Sequence, residues 1–256
     1  MTTILALETS TEWCSVALAE QRNGHIHLTA RQEQTGPRSS DRILPLVDIV
    51  LSEAGVELSA CDAIAFGAGP GSFTGLRTAC GVAQGLAFGI ERPVIAVNSL
   101  EACAEQVSQQ VGAELPTDTP VIVALDARMN ECYWATFRLG ENGWQTMSPT
   151  QVSAPENLAA PTGSFWIIGN ALTVFSERLT LASQAVRCLP DVLPHARGVA
   201  LIGLRSYAAG LAQPAEMAAP LYVRDKVALT VSERQAVAAA KVAASAAVNA
   251  SVQSGQ

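Results

Sequence analysis

Ile4-Leu5-Ala6-Leu7-Glu8, followed after a short polar link by Cys14-Ser15-Val16-Ala17-Leu18, returns later as Ile122-Val123-Ala124-Leu125-Asp126 and Cys132-Tyr133-Trp134-Ala135-Thr136. Each stretch reads as strand, turn, strand, because two apolar runs of strand length flank polar turn residues. Both fit the pattern Ala-Leu-Glu/Asp-x5-Cys, with Glu8 and Asp126 lying 118 positions apart. A repeat this short gains its weight from the order of elements around it, and together they predict a duplicated domain.

The Asn23-Gly24 turn signal leads into a third strand over 25–31, where His25, Ile26, His27 and Leu28 alternate. Ile43, Leu46, Val47, Val50, Leu51 and Ala54 fall at helical spacing and predict a helix over 41–54. Ser39 or Ser40 can cap that helix and Gly55 can stop it, while Pro45 fits best in a first turn. A buried strand is expected at 63–66. The glycine-rich loop Gly67–Arg77 then enters a helix running to about Gly89. Val94–Val97 is a further strand, and Asn98 with Glu101 resembles a capping pair for the next helix. The order β-β-β-α-β-α-β-α implies an α/β unit with a mixed sheet, antiparallel at one edge and parallel behind. Two such units facing across a cleft make a duplicated actin-like (ASKHA, RNase H-like) fold. The expected division is a first domain over 1–100 and a second over 101–226. Trp166–Gly169 reads as a strand and Ala196–Leu211 as an apolar helix able to pack back on the first domain. Residues 227–256, rich in Ala, Ser, Val and Gln, read as a mobile tail.

The composition sets outer bounds. Of 256 residues, 49% are hydrophobic and only 15% charged, so core material is plentiful. No run of 18 apolar residues predicts a membrane span, and the N-terminus lacks a signal-peptide pattern. Six cysteines without a Cys-x-x-Cys pair sit mostly in apolar runs, which fits a reducing cytoplasm better than a disulfide framework. The net charge of −7, with no Lys/Arg cluster, argues against strong RNA binding by this chain alone.

Few residues offer chemistry of their own. The three histidines, His25, His27 and His195, give no third ligand to match the His25-x-His27 pair, and no helical His-Glu-x-x-His occurs. Gly71-Ser72-Phe73-Thr74-Gly75 has the wrong spacing for a nucleophile elbow. The loop carrying Gly69, Gly71, Ser72 and Thr74 admits two readings. Its backbone N–H groups can cradle a phosphate, or it is a tight strand-to-helix turn packed on the opening strands. It has no Walker lysine. Glu8 and Asp126 end the first strand of each half; they can hold magnesium in an actin-like enzyme or cap the turns that follow. In the helix after the loop, Gly81, Gly85 and Gly89 recur every fourth residue and share one face. Each glycine costs about 1 kcal/mol relative to alanine, so the row needs an offsetting close approach, either by another helix of this chain or by a second chain.

Ile4-Leu-Ala-Leu-Glu-Thr-Ser-Thr11, Arg42-Ile-Leu-Pro45, Gly69-Pro-Gly-Ser-Phe-Thr-Gly-Leu-Arg77, Gly81-x-x-Gln-Gly-Leu-Ala87, Asp126-Ala-Arg-x-x-Glu-x-Tyr133 and Pro220-Leu-Tyr-Val-Arg224 together resemble the TsaB (YeaZ) family of tRNA threonylcarbamoyladenosine biosynthesis proteins. The resemblance spans about residues 3–226. Glu8 stands where the family usually has Asp, and Ser39 where a histidine is common. The resemblance implies the duplicated actin-like fold and a non-catalytic partner or scaffold role. The subunit would bind TsaD directly and support threonylcarbamoyl transfer to adenosine 37 of tRNA. TsaE joins the assembly, a homodimer forms when the chain is alone, and tRNA is met only through the complex. It places the partner surface on the first-domain helices, here Ile43, Leu46, Arg77 and the Gly81-Gly85-Gly89 face. No cofactor is implied for this chain by itself; ATP or ADP, magnesium and a metal belong to the partner complex, with nucleotide near the TsaB–TsaD boundary, and Glu8, Gly69, Gly71, Ser72 and Thr74 are the candidate phosphate-proximal residues of this chain. Two other functions compete: a free-standing actin-like ATPase or phosphotransferase, and a peptidase of the M22 type. Missing phosphate-binding residues weigh against the first and missing metal ligands against the second. Because the 227–256 segment has few large apolar side chains, truncation after Lys226 is expected to lower the melting temperature by no more than about 4 °C, roughly 1 kcal/mol at this size; a larger fall in a thermal melt would show that it is packed.

Overall fold

The computed structural model describes residues 1–140 and 143–224, except the side chain of Ala113. The segment 227–256, and with it the expectation of a dispensable tail, lies outside the described residues.

Two five-stranded sheets share one topology. In the first, β1 (Thr2–Glu8) pairs antiparallel with β2 (Trp13–Arg22), which pairs with β3 (His25–Gln34); on its other side β1 runs parallel to β4 (Ala63–Gly69), and β4 to β5 (Val94–Asn98). In the second, β6 (Pro120–Asp126) takes the place of β1, flanked by β7 (Cys132–Gly140) and β8 (Gly143–Ser153) on one side and β9 (Trp166–Ile168) and β10 (Arg187–Leu189) on the other. The orders β3-β2-β1-β4-β5 and β8-β7-β6-β9-β10 are one arrangement twice. This is the duplicated actin-like, RNase H-like α/β fold. β1 and β6 are apolar along most of their length because both of their faces are covered.

The helices supply that cover. α1 (Ser39–Ala54) and α2 (Phe73–Gly89) bury Ile43, Val47, Ala79, Cys80 and Ala83 on one side of the first sheet, against Leu5, Leu7, Val16 and Phe66. α3 (Ser99–Val111) lays Leu100, Cys103 and Val107 on Val123, Leu125 and Phe137 of the second sheet. Among the described residues, the far face of that sheet is covered by the short α4 (Ala171–Val174) and 3₁₀ turns, with Phe165, Phe175 and Leu179 over Ile122, Ala124 and Trp134. α5 (Ala196–Ala208) covers the remaining face of the first sheet, Val199, Ala200 and Ile202 meeting Ile4, Ala6 and Ala65.

The repeat is in register on its first strand and slipped on its second. Glu8 pairs with Ser15, but Asp126 pairs with Cys132. The linking turn is therefore one residue shorter in the second half, and a one-residue slip sends side chains to the opposite face of a sheet. Cys14 joins the cluster of Leu5 and Leu7, whereas Cys132 sits on the face opposite Val123 and Leu125. Matching cysteines in the sequence are thus not equivalent in space.

Helix ends depart from expectation in two places. α1 begins at Ser39 with Arg38 at its N-cap and no side-chain cap, because the chain arrives through a 3₁₀ turn, Gly36–Arg38, already coiled. Pro45 lies inside α1 beyond the first turn, on the exposed side, where water can serve the Asp41 carbonyl that loses its donor. At α3 the Asn98 side chain accepts the Leu100 N–H at 2.8 Å. Five cysteines are buried and Cys188 is exposed. Burial pushes the thiols of Cys14, Cys61 and Cys132 up to about 12.

His195 caps α5, its Nδ1 accepting the Arg197 N–H at 2.9 Å. Burial, aided by the Arg197 charge, lowers this imidazole from 6.5 to about 4; the neutral ring is the form that can accept the bond. The folded pKa lies below the unfolded one, so the cap's contribution is complete above about pH 6.5 and is lost as pH falls toward 4. In urea melts between pH 7.5 and 4.5 the native chain should lose up to roughly 3 kcal/mol relative to His195→Asn, which keeps a capping acceptor that does not titrate; parallel pH dependences would contradict this.

Candidate functional site

The glycine-rich loop joins β4 to α2 and rests on the turn that follows β1. Ser72 N–H donates to the Ser10 carbonyl at 2.7 Å, and the Thr9 hydroxyl donates to the Gly75 carbonyl at 2.7 Å. A Cβ on Gly71 would stand 2.5 Å from Ser10 Cβ, and one on Gly75 would overlap the Thr9 carbonyl oxygen. Gly69, at φ +125°, leaves room for the Leu221 carbonyl, and Leu221 N–H donates to Ala68 at 2.7 Å. Gly69, Gly71 and Gly75 are thus used up by approaches of this chain's own backbone. Ser72, Phe73 and Thr74 remain exposed at the start of α2.

Both strand-end carboxylates cap the turns after them. Glu8 is only 2% exposed; its Oε1 accepts the Ser10 N–H at 2.5 Å and its Oε2 accepts from the Ser99 hydroxyl at 3.2 Å. Burial raises its pKa, and hydrogen bonds from Ser10, Ser99 and Thr9 offset part of that rise. Asp126 Oδ1 accepts the Arg128 N–H at 2.8 Å, and Oδ2 lies 3.2 Å from the Arg128 guanidinium. The turn it caps holds three consecutive non-glycine residues at positive φ, Arg128, Met129 and Asn130 at 60°, 53° and 62°. Each costs about 1–2 kcal/mol in that conformation, and the bond from Ala127 N–H to the Glu131 carbonyl, 2.9 Å, closes the loop around them. Among the described residues no group of three or more His, Cys, Asp or Glu side chains is placed to hold a metal ion.

The outer face of α2 is bare. Gly81, Gly85 and Gly89 are exposed, and a Cβ on any of them would meet nothing within 4 Å. Among the described residues no helix packs on this row, so none of them supplies the close approach. At one end of the strip, the Arg77 guanidinium lies 3.8 Å over the Phe73 ring and its Nε donates to the Tyr222 hydroxyl at 3.1 Å. At the other end Phe88 is 73% exposed. Ile43 and Leu46, expected on the partner face, point into the first sheet at 0% and 2% exposure. Their helical spacing marks the core side of α1, and Leu44 and Ile49 are the large apolar residues it exposes. Phe73, Phe88 and Tyr222 were not among the expected site residues, although Phe73 and Tyr222 lie within the motifs that carry the family resemblance. Arg77 and Tyr222 lie 145 positions apart, beyond any local signal.

A family model described as TsaD: tRNA N6-adenosine threonylcarbamoyltransferase matches residues 31–253. The tRNA threonylcarbamoyladenosine biosynthesis protein TsaB of Escherichia coli (strain K12) is 36% identical over 232 residues, covering 88% of this chain and 96% of that protein. The chain belongs to the TsaB (YeaZ) family. TsaB of Haemophilus influenzae is 43% identical over 162 residues, 60% of this chain and 65% of that one. The structure of YeaZ from Pseudomonas aeruginosa superposes with a TM-score of 0.77 at 40% identity, over 87% of this chain and all of that one.

Within this TsaB-family chain the glycines of α2 fall into two kinds, and alanine separates them. Gly85→Ala, with open space and better helix propensity, is expected to raise the melting temperature of the monomer by about 2–4 °C. Gly75→Ala must force the Thr9 backbone aside and is expected to lower it by at least about 4 °C. Calorimetry at concentrations where the chain is monomeric checks both signs.

Proposed function

We propose that this chain is a non-catalytic partner subunit in tRNA threonylcarbamoyladenosine biosynthesis, binding TsaD through the outer face of α2 in the assembly that modifies adenosine 37. One observation carries the reading: three glycines in a row on an exposed helix face. Gly81 and Gly85, inside the helix, give up about 2 kcal/mol of helix propensity relative to alanine, with a smaller loss at Gly89, its last residue, and nothing in the described chain offsets that. A second chain can, since bare helix faces let axes approach to about 8 Å. Phe73, Arg77, Leu44, Ile49 and Phe88 would supply the apolar and cationic rim. The names carried by the TsaB relatives support the pathway.

The same face would serve a homodimer when TsaD is absent. With a net charge of −7, contact with tRNA falls to the assembly, and TsaE would join through that assembly as well. Nucleotide, magnesium and a catalytic metal are assigned to the complex. In this chain the Glu8 oxygens are engaged by Ser10 and Ser99, and the loop glycines by Thr9, Ser10 and Leu221, so these residues do not fit a magnesium–phosphate site. No helix among the described residues is long and apolar enough to cross a membrane, and we place the subunit in the cytoplasm with the pathway.

Gly85→Arg sets a long cation on the bare face while leaving it free to reach into water. TsaD binding should weaken more than tenfold, at least about 1.4 kcal/mol, with an unchanged circular dichroism spectrum. Threonylcarbamoyl-adenylate and tRNA should give no modified tRNA with this chain alone and should give it when TsaD and TsaE are added. A folded variant that binds TsaD at full strength, or turnover without TsaD, would overturn the reading.

A further inference from the structure

The proposed function leaves Glu8 without a task. A carboxyl buried to this degree costs several kcal/mol unless each oxygen finds a partner, and both oxygens here do. They reach those partners only because position 67 is glycine, where a Cβ would overlap Oε2. The contacts join three elements. Oε1 holds the Ser10 N–H, so the Thr9–Ser10 turn is tied to the end of β1. Oε2 takes the hydroxyl of Ser99, the first residue of α3. The turn so held is the seat of α2, because the Ser10 carbonyl receives the Ser72 N–H and Thr9 bonds the Gly75 carbonyl. Without the side chain, Ser10 N–H would be a buried donor lacking its acceptor, free to turn and take the Ser72 bond with it.

We propose that Glu8 is a positioning residue for the partner face: by fixing the Thr9–Ser10 turn between β1, the Gly67 gap and α3, it sets where α2 begins and how its bare glycine strip is presented. The proposal rests on the reading of that strip as the TsaD surface. Burial holds the Glu8 carboxyl above its ordinary range, so the neutral amide of glutamine is a close replacement that keeps an acceptor for Ser10. Asp, one methylene shorter, can still take the Ser10 N–H, as Asp126 takes the Arg128 N–H, but it shortens the reach to Ser99 and leaves part of the space at Gly67 unfilled.

The test compares Glu8→Gln, Glu8→Asp and Glu8→Ala by amide hydrogen exchange of the full chain and by affinity for TsaD. In Glu8→Ala the amides over 72–76 should exchange at least tenfold faster, with β6 and β7 unchanged, and TsaD should bind at least fivefold more weakly. Glu8→Gln should stay within twofold of the native chain in both measurements, and Glu8→Asp should fall between. If Glu8→Ala does not fold, Glu8→Asp carries the test by the same local pattern. Unchanged protection over 72–76 overturns the proposal, and so does acceleration spread equally through the second sheet, the mark of general destabilisation. A loosened α2 start with full TsaD affinity overturns the link to the partner face; Gly85→Arg judges that face independently, so the two failures can be told apart.

Discussion

The rest of the first half depends on one close approach, that of the Thr9–Ser10 backbone to the loop and first turn of α2. Two hydrogen bonds of 2.7 Å and two positions without room for a Cβ fix it. Each bond is worth only about 1 kcal/mol net, but the steric exclusion allows a single seating. Once α2 starts there, its winding decides the rest. Leu76, Ala79, Cys80, Ala83 and Ala87 fall on the sheet, and Gly81, Gly85 and Gly89 fall outside. The residues that shape the loop and the residues that leave the face bare thus serve one geometry.

The two halves share a topology and have spent it differently. In the first, a full-length α2 follows the strand after the hairpin, and Glu8 is sealed on the opposite face of the sheet, against Gly67 and Ser99 of α3. In the second, the corresponding connection after β9 holds only α4, four residues long, so no equivalent helix presents a face there. The hairpin has lost a residue and turns through three left-handed positions instead. Asp126, with an 11% exposed side chain, stays nearer the surface and is neutralised by Arg128. A shortened turn thereby replaced a buried carboxyl with a strained loop held by an ion pair.

The fold was legible where periodicity and composition agreed. The strand pair and its repeat, the Asn23-Gly24 turn, and the glycine loop leading into α2 all carry local signals, and each is where those signals put it. β8 carries none, since Gln145, Thr146, Ser148, Pro149, Thr150 and Gln151 give it little apolar alternation, and it exists because β7 templates it. β10, three residues long, is likewise made by its neighbour. The slip of β7 could not be read from matching cysteines, because the length of a turn and the conformation it adopts are separate quantities. On the site, a helical stripe of Ile43 and Leu46 announces burial against something without saying what, and here it is the sheet. The glycine row was the converse case: spacing fixed its face, and only packing could say that the face looks outward. In the Phe73–Arg77–Tyr222 cluster, Phe73 and Arg77 are an i,i+4 pair of α2, and only the Tyr222 contact, 145 positions away, leaves no local trace.

The cysteine distribution has a practical consequence for watching this subunit assemble. Alkylation and disulfide exchange proceed through the thiolate, and five thiols are shielded inside the cores. Cys188 is the exposed one and lies on β10, the edge strand of the second sheet, a different sheet from the one that carries α2. A maleimide dye added to the native chain would therefore mark one position without engineering, and its polarisation would report complex formation while the glycine strip stays unmodified.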